Sequence, residues 1–151
     1  MSAADYDLNE VFDALAATFN GTETGDEISG VPVTLECHSE VVGAINPPAM
    51  VLDFDSQDWD LNMGAGADAF SISGLLMVTN AESEDAQRKL RSFLSRRAGS
   101  GLFRLKAALE ANQNLGGLIS YAIITNTRNI GIITYNGVDY LGAELVIGVM
   151  S

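Results

Sequence analysis

Ile130-Gly131-Ile132-Ile133-Thr134-Tyr135-Asn136-Gly137-Val138-Asp139-Tyr140-Leu141-Gly142-Ala143-Glu144-Leu145-Val146-Ile147-Gly148-Val149-Met150 is the stretch whose reading decides the fold. Two runs rich in β-branched and aromatic residues flank Asn136-Gly137. Asn-Gly tolerates positive φ at both central positions of a two-residue turn, so a β-hairpin is predicted, with strands at Ile130 to Tyr135 and Val138 to Met150. Just upstream, Leu118 to Thr125 reads as one more strand. Ile123, Ile124, Ile130, Ile132, Ile133, Leu145, Val146, Ile147 and Val149 supply more apolar strand surface than one covered sheet face needs. Either helices bury both faces or part of this surface meets another chain.

Working back from the hairpin, Leu102, Leu105, Ala108 and Leu109 follow helical spacing, and the helix they define stops near Asn114 to Gly117. Before the break Gly99-Ser100-Gly101, Ala86, Leu90, Phe93 and Leu94 mark a helix from Glu82 to about Arg97. Glu82, Glu84 and Asp85 fall in its first turn and Arg96 and Arg97 in its last, the order a helix dipole favours. Glu84 with Arg88 and Asp85 with Lys89 are four apart with the acid leading. Phe93 and Phe103 fit the apolar stripes of these two helices.

Further upstream, Asp68 to Thr79 alternates, with Phe70, Ile72, Leu76 and Val78 on one face and Ser71 and Ser73 on the other. Ala49 to Phe54 is its predicted hairpin partner, entered from Pro47-Pro48. Val31, Val33 and Leu35 form a strand that Pro32 places at an edge. Gly21 to Gly30 reads as a polar loop. Leu8, Val11, Phe12, Leu15 and Phe19 lie on one helix face, with Asp7 as N-cap and Glu10 three residues on. The order αβββααβββ with short connections predicts one α+β domain over residues 1–151: a mixed, largely antiparallel sheet flanked by about three helices.

The chain has 151 residues, 47% apolar and 19% charged, which is enough for one core. No apolar run is long enough for a membrane helix, and the acidic start Asp5-Tyr6-Asp7 lacks the basic flank of a signal peptide, so a soluble product in a cytoplasm is expected. The net charge is −12, which disfavours nucleic acid as a dedicated ligand. That charge is unevenly spread. The first basic residue is Arg88, and Arg88, Lys89, Arg91, Arg96, Arg97, Arg104 and Lys106 crowd one short region.

Little of the chain suggests chemistry. Cys37 and His38 are the single cysteine and histidine, but neighbours on a strand face opposite ways, so His38 is poorly placed to act as a base for the thiol. Zinc and iron would need a clustered His/Cys set that the chain lacks. Asp53, Asp55, Asp58 and Asp60 form an acidic loop, but counted from Asp53 the calcium-loop positions for Gly and Glu hold Asp58 and Gly64. A solvated or partner-facing loop fits better than a metal site. Met63-Gly64-Ala65-Gly66-Ala67 has no following Gly-Lys-Ser/Thr and acidic flanks, so it reads as a flexible contact loop and not a phosphate cradle. No catalytic residue and no cofactor are expected.

One succession of motifs remains: Arg88-Lys89-Leu90-Arg91-Ser92-Phe93-Leu94 closing a helix, a small-residue break, Leu105-Lys106-Ala107-Ala108-Leu109-Glu110, Leu115-Gly116-Gly117, and Gly137-Val138-Asp139-Tyr140-Leu141-Gly142-Ala143-Glu144-Leu145 leading into an apolar strand. With the Pro47-Pro48-Ala49 turn, it resembles the tail terminator proteins of long-tailed bacteriophages of the siphovirus type, especially those infecting actinobacteria. The likeness spans about three-quarters of the chain and departs at the acidic loop Asp53 to Asp68 and at Gly21 to Gly30.

The resemblance implies a structural virion protein, assembled in the host cytoplasm. Its copies form a ring, a hexamer in the family, at the head-proximal end of the tail tube. The ring contacts the major tail tube protein and a neck or head-tail connector protein, and lets DNA pass without specific binding. Arg88, Arg91, Arg96, Arg97, Arg104 and Lys106 on one side, and Asp53, Asp55, Asp58 and Asp60 on the other, are then candidate subunit or partner contacts, with Met63, Gly64 and Gly66 in the contact loop. Another head-tail joining protein, or a small-ligand binding module of regulatory kind, is the alternative.

Overall fold

The Asp7 carboxylate accepts the Asn9 amide at 2.8 Å and starts α1 (Leu8–Phe19) at the predicted N-cap. Val11, Leu15 and Phe19 on its inner face are fully covered, with Leu8 and Phe12 half-buried beside them. At its end Asn20 turns outward and its side-chain oxygen accepts the Cys37 amide at 3.0 Å, fastening the helix to a strand. The computed structural model describes residues 7–28, 30–40, 42–58, 69–82, 85–96 and 99–150, with side chains for all of these except 25–28 and 54–58.

Two sheets follow from the sequence order α1, β1 (Glu23–Ile28), β2 (Val31–Thr34), β3 (Glu36–His38), β4 (Ala49–Asp58), β5 (Ala69–Asn80), α2 (Ala86–Leu94), α3 (Gly101–Glu110), a 3-10 turn at Leu115–Gly117, β6 (Tyr121–Tyr135) and β7 (Val138–Met150). β1 and β2 make a small antiparallel arm. The main sheet has the order β3-β4-β5-β7-β6, antiparallel throughout except for β3 alongside β4. The fold is α+β. The Pro47–Pro48 peptide bond is cis and delivers the chain into β4 at Ala49.

One sheet face carries the helices. Met50, Leu52, Phe70, Ile72, Leu76, Val78, Leu141, Leu145, Ile147 and Val149 from the strands meet Leu90 and Phe93 of α2, Leu105 and Leu109 of α3, and the inner face of α1. A methyl at Gly101 would overlap the buried Phe93 ring, so the glycine lets α3 start directly against α2. The opposite face is more lightly covered. The segment before β4 folds over it, placing Val42 and Ile45 on Ala49, Val51, Met77, Tyr135 and Tyr140. Tyr135 donates its hydroxyl to the Val42 carbonyl and accepts the Val42 amide at 2.9 Å, while Asn136 donates to Gly43.

Four readings of the sequence are corrected. Glu23–Ile28 is a strand and not part of a loop; it is paired to β2 and held by Arg104 on Glu23. α2 begins at Ala86 and ends at Leu94, shorter than the predicted Glu82 to Arg97. Asp85 is thus its N-cap and Arg96 lies beyond it, so the dipole argument applies to fewer charges. Asp85 and Lys89 do pair, at 3.7 Å, whereas Glu84 and Arg97 lie outside the described residues. The segments read as two strands around Asn126 are one, β6, with register shifts at Ile124/Asn126 and Arg128/Gly131. Phe103 is half-buried and not in the core, with the Lys106 ammonium 5.9 Å from its ring centre.

Candidate functional site

β6 is an edge strand, and most of its length faces solvent. Ile123 is 40% exposed, Ile130 60% and Ile132 67%. The predicted surplus of apolar strand surface therefore divides. Leu145, Ile147 and Val149 are buried on central β7, Val146 is covered on its other face, Ile124 and Ile133 of β6 are half-buried against the two core clusters, and Ile123, Ile130 and Ile132 are exposed. Among the described residues no strand pairs with the outer side of β6, and a long edge bearing apolar side chains is a template for pairing with another chain.

The second shift in β6 shapes a polar cluster beside this edge. Asn129 has φ 53° and Gly131 φ 150°, which turns Arg128 and Asn129 toward Glu144 of β7. One Glu144 oxygen accepts from Arg128 Nη2 at 2.7 Å, Arg128 Nε at 3.1 Å and the Ser73 hydroxyl at 2.9 Å; the other accepts from Asn129 at 2.8 Å. The Arg128 guanidinium, seconded by Asn129 and Ser73, holds the Glu144 carboxyl below the usual range against the opposing effect of burial. Arg128 is the one basic residue outside the crowded region, and it is spent inside the subunit.

Across the end of the sheet, α2 and the β6–β7 hairpin bound an open groove of about 720 Å³, lined by Arg88, Arg91 and Gln87 on one wall and by Gly131, Ile132 and Leu141 on the other. The predicted basic contacts sort accordingly. Arg88 and Arg91 reach this groove, and Arg96 is exposed just beyond α2. Arg104 is committed to Glu23 at 2.9 Å and to the Gly99 carbonyl at 3.0 Å, so it ties α3 to the β1–β2 arm, a role sequence reasoning missed. Lys106 sits over Phe103. On the acidic side, Asp53 is exposed on the lightly covered sheet face. The side chains of Asp55 and Asp58, and all of Asp60, Met63, Gly64 and Gly66, lie outside the described residues.

Cys37 and His38 do not cooperate. Cys37 is 8% exposed in the main core, and burial pushes its thiol up to about 12. His38 Nε2 lies 2.9 Å from Glu36 Oε1 without a hydrogen bond and is turned away from any role with the thiol. At pH 8 the native thiol holds about a thousandfold less thiolate than an ordinary one. Native protein should therefore leave a colourimetric disulfide reagent unconsumed over minutes and consume one equivalent in denaturant. Rapid titration of the native form would contradict the burial of Cys37.

Among the described residues no three His, Cys, Asp or Glu side chains converge as metal ligands, and no helix is long and apolar enough to cross a membrane. No protein-family model matches the chain, and no curated protein matches it.

Proposed function

We propose that this protein is a tail terminator subunit, a structural virion component that closes into a ring between tail tube and neck. The reading starts from the motifs from Arg88 to Leu145, and the observation that supports it best is the β6 edge, where Ile123, Ile130 and Ile132 are exposed along a flank that no other strand pairs among the described residues. A soluble protein normally blunts such an edge; one that assembles covers it with a neighbour. The charge distribution fits the same role. Basic side chains begin at Arg88 and acidic ones dominate before it, so identical subunits can meet unlike surfaces head to tail, the arrangement that generates rings. A net charge of −12 also suits a passage through which a duplex must slide without adhering.

The test has two steps. Light scattering and native mass spectrometry of the purified chain should show one closed oligomer of discrete mass. Added to polymerising tail tube subunits, that oligomer should shorten the tubes and sit at one end in electron micrographs. A ring that leaves tube length unchanged would move the protein to another head-tail joining position. A chain that stays monomeric at high concentration and fails to cap tubes would remove the proposal.

A further inference from the structure

Resting on the reading of this protein as a self-assembling subunit, we infer that the outer side of β6 over residues 121–127 pairs with the outer side of β4 over residues 52–58 of the next copy, so that the main sheet runs on from one subunit to the other. Among the described residues both stretches are open. β6 is the last strand of its sheet, and β3 covers β4 only at residues 49–51. Tyr121 is 43% exposed and Ile123 40%. A cavity of about 210 Å³ lies between this flank and Lys106, Leu109 and Glu110 of α3. Another, of about 190 Å³, opens at Tyr121, Ile123, Thr125 and Gly148, toward the face away from the helices. Spaces on both sides of an edge receive the alternate side chains of an added strand while its backbone bonds to the edge.

The two edges match level for level. Followed across β5 and β7, Asp58 stands level with Tyr121, Phe54 with Ile124, Asp53 with Asn126 and Leu52 with Thr127. Each strand carries one extra residue next to the level of Phe54 and Ile124. One level further both open stretches end: His38 covers β4 at Val51, and β6 enters its second register shift at Arg128. Because β4 and β6 run in opposite directions, rotation about an axis along the strands lays one copy's β4 antiparallel to the other's β6. Charge selects this partner over a second β6. Residues 1–58, which build α1 and β1 to β4, contain no Lys or Arg, whereas Lys106, Arg88 and Arg91 stand along the β6 flank. Two β6 edges joined about a two-fold axis would bring the basic helices together; β6 against β4 sets basic against acidic.

The experiment uses the full chain. Asp53→Cys in one preparation and Asn126→Cys in another, both at exposed positions, are mixed at low concentration, concentrated and oxidised. Ile123→Cys replaces Asn126→Cys in a second mixture, because closing a ring staggers neighbouring strands by about two residues. Within one subunit these positions are three strand spacings apart, about 14 Å and too far for a disulfide, so any bridge joins two copies. The native Cys37 is buried. One of the mixtures should give a cross-linked dimer, and each variant alone should not. Ile123→Lys, which puts a charge on the edge, should weaken self-association at least about tenfold in a light-scattering dilution series. Val138→Lys, comparably exposed at the hairpin turn, should assemble as wild type. Circular dichroism melts check that the variants fold. No bridge in either mixture, a bridge formed by a β6 variant alone, or wild-type assembly by Ile123→Lys each overturn the inference; closed rings of discrete mass in those same samples leave the terminator reading standing. Bridged oligomers that stay open and never cap tail tubes keep the edge contact and remove the terminator.

Discussion

Gly142→Ala should destabilise the protein by about 3 kcal/mol or more, a loss of roughly 6–12 °C in Tm for a domain of this size. β7 lies between β5 and β6, and at Gly142 it passes so near β5 that an added methyl would overlap the Leu76 carbonyl oxygen and come within 2.9 Å of the Leu76 carbonyl carbon and 3.1 Å of the Met77 Cα. These are backbone atoms in the middle of the sheet, next to the register shift at Met77/Thr79, so no rotamer change relieves the clash. The strand pair must separate or slip, and slipping would turn the buried Leu141, Ala143 and Leu145 to the other sheet face. Gly148→Ala on the same strand is the control. Its methyl would meet the Thr125 Cγ2 at 2.9 Å, a side-chain atom that can rotate away, and should cost under about 1 kcal/mol. Equal melting temperatures for the two variants would show that the close approach at Gly142 is wrong.

The elements that sequence reading located are those whose periodicity is strong and local. α1 was bounded by an N-cap and an uninterrupted apolar stripe, and the β6–β7 hairpin by Asn136-Gly137, whose φ values of 51° and 79° are those its turn requires. What escaped depends on partners distant in sequence. Glu-Thr-Gly-Asp-Glu-Ile at Glu23–Ile28 shows no alternation and is a strand because β2 offers it a ladder and Arg104 an ion pair. The parallel pairing of β3 with β4 cannot be read from a three-residue strand. β6 looks broken because Asn126 to Asn129 is polar, but Asn126 and Thr127 stay in register with Val146 and Leu145, and a bulge spends Arg128 and Asn129 on Glu144 without ending the strand.

The candidate interface was legible in charge and not in position. The crowding of basic residues is plain in the sequence, yet the chain alone could not separate Arg104, which is internal bracing, from Arg88 and Arg91, which line a groove. That distinction turns on Glu23 standing 2.9 Å from Arg104, a contact across 81 positions of chain. The excess of isoleucine was equally visible. Which residues it leaves uncovered follows from β6 taking the edge and from the helices lying on one face, two consequences of topology.

Replacing Glu144 should cost about 2–3 kcal/mol at pH 7 as Glu144→Ala, and about 1–2 kcal/mol as Glu144→Gln. The carboxylate is 14% exposed between two strands and takes four hydrogen bonds, two of them from Arg128; removing it strands the Ser73 hydroxyl, itself 8% exposed. Arg128 is 42% exposed, and the water around it keeps the loss below that of a wholly buried pair. The same bonds set a pH signature. Because the folded state holds the Glu144 carboxyl below its unfolded value of about 4.3, the stabilisation is complete above that value and disappears as pH falls through the lower folded one. Urea titrations at pH 7, 5 and 3.5 should therefore show the gap between wild type and Glu144→Gln constant from 7 to 5 and narrowing at 3.5. A gap that stays constant to pH 3 would mean that Glu144 acts through shape and not charge, and that the bulge in β6 holds its course without the carboxylate.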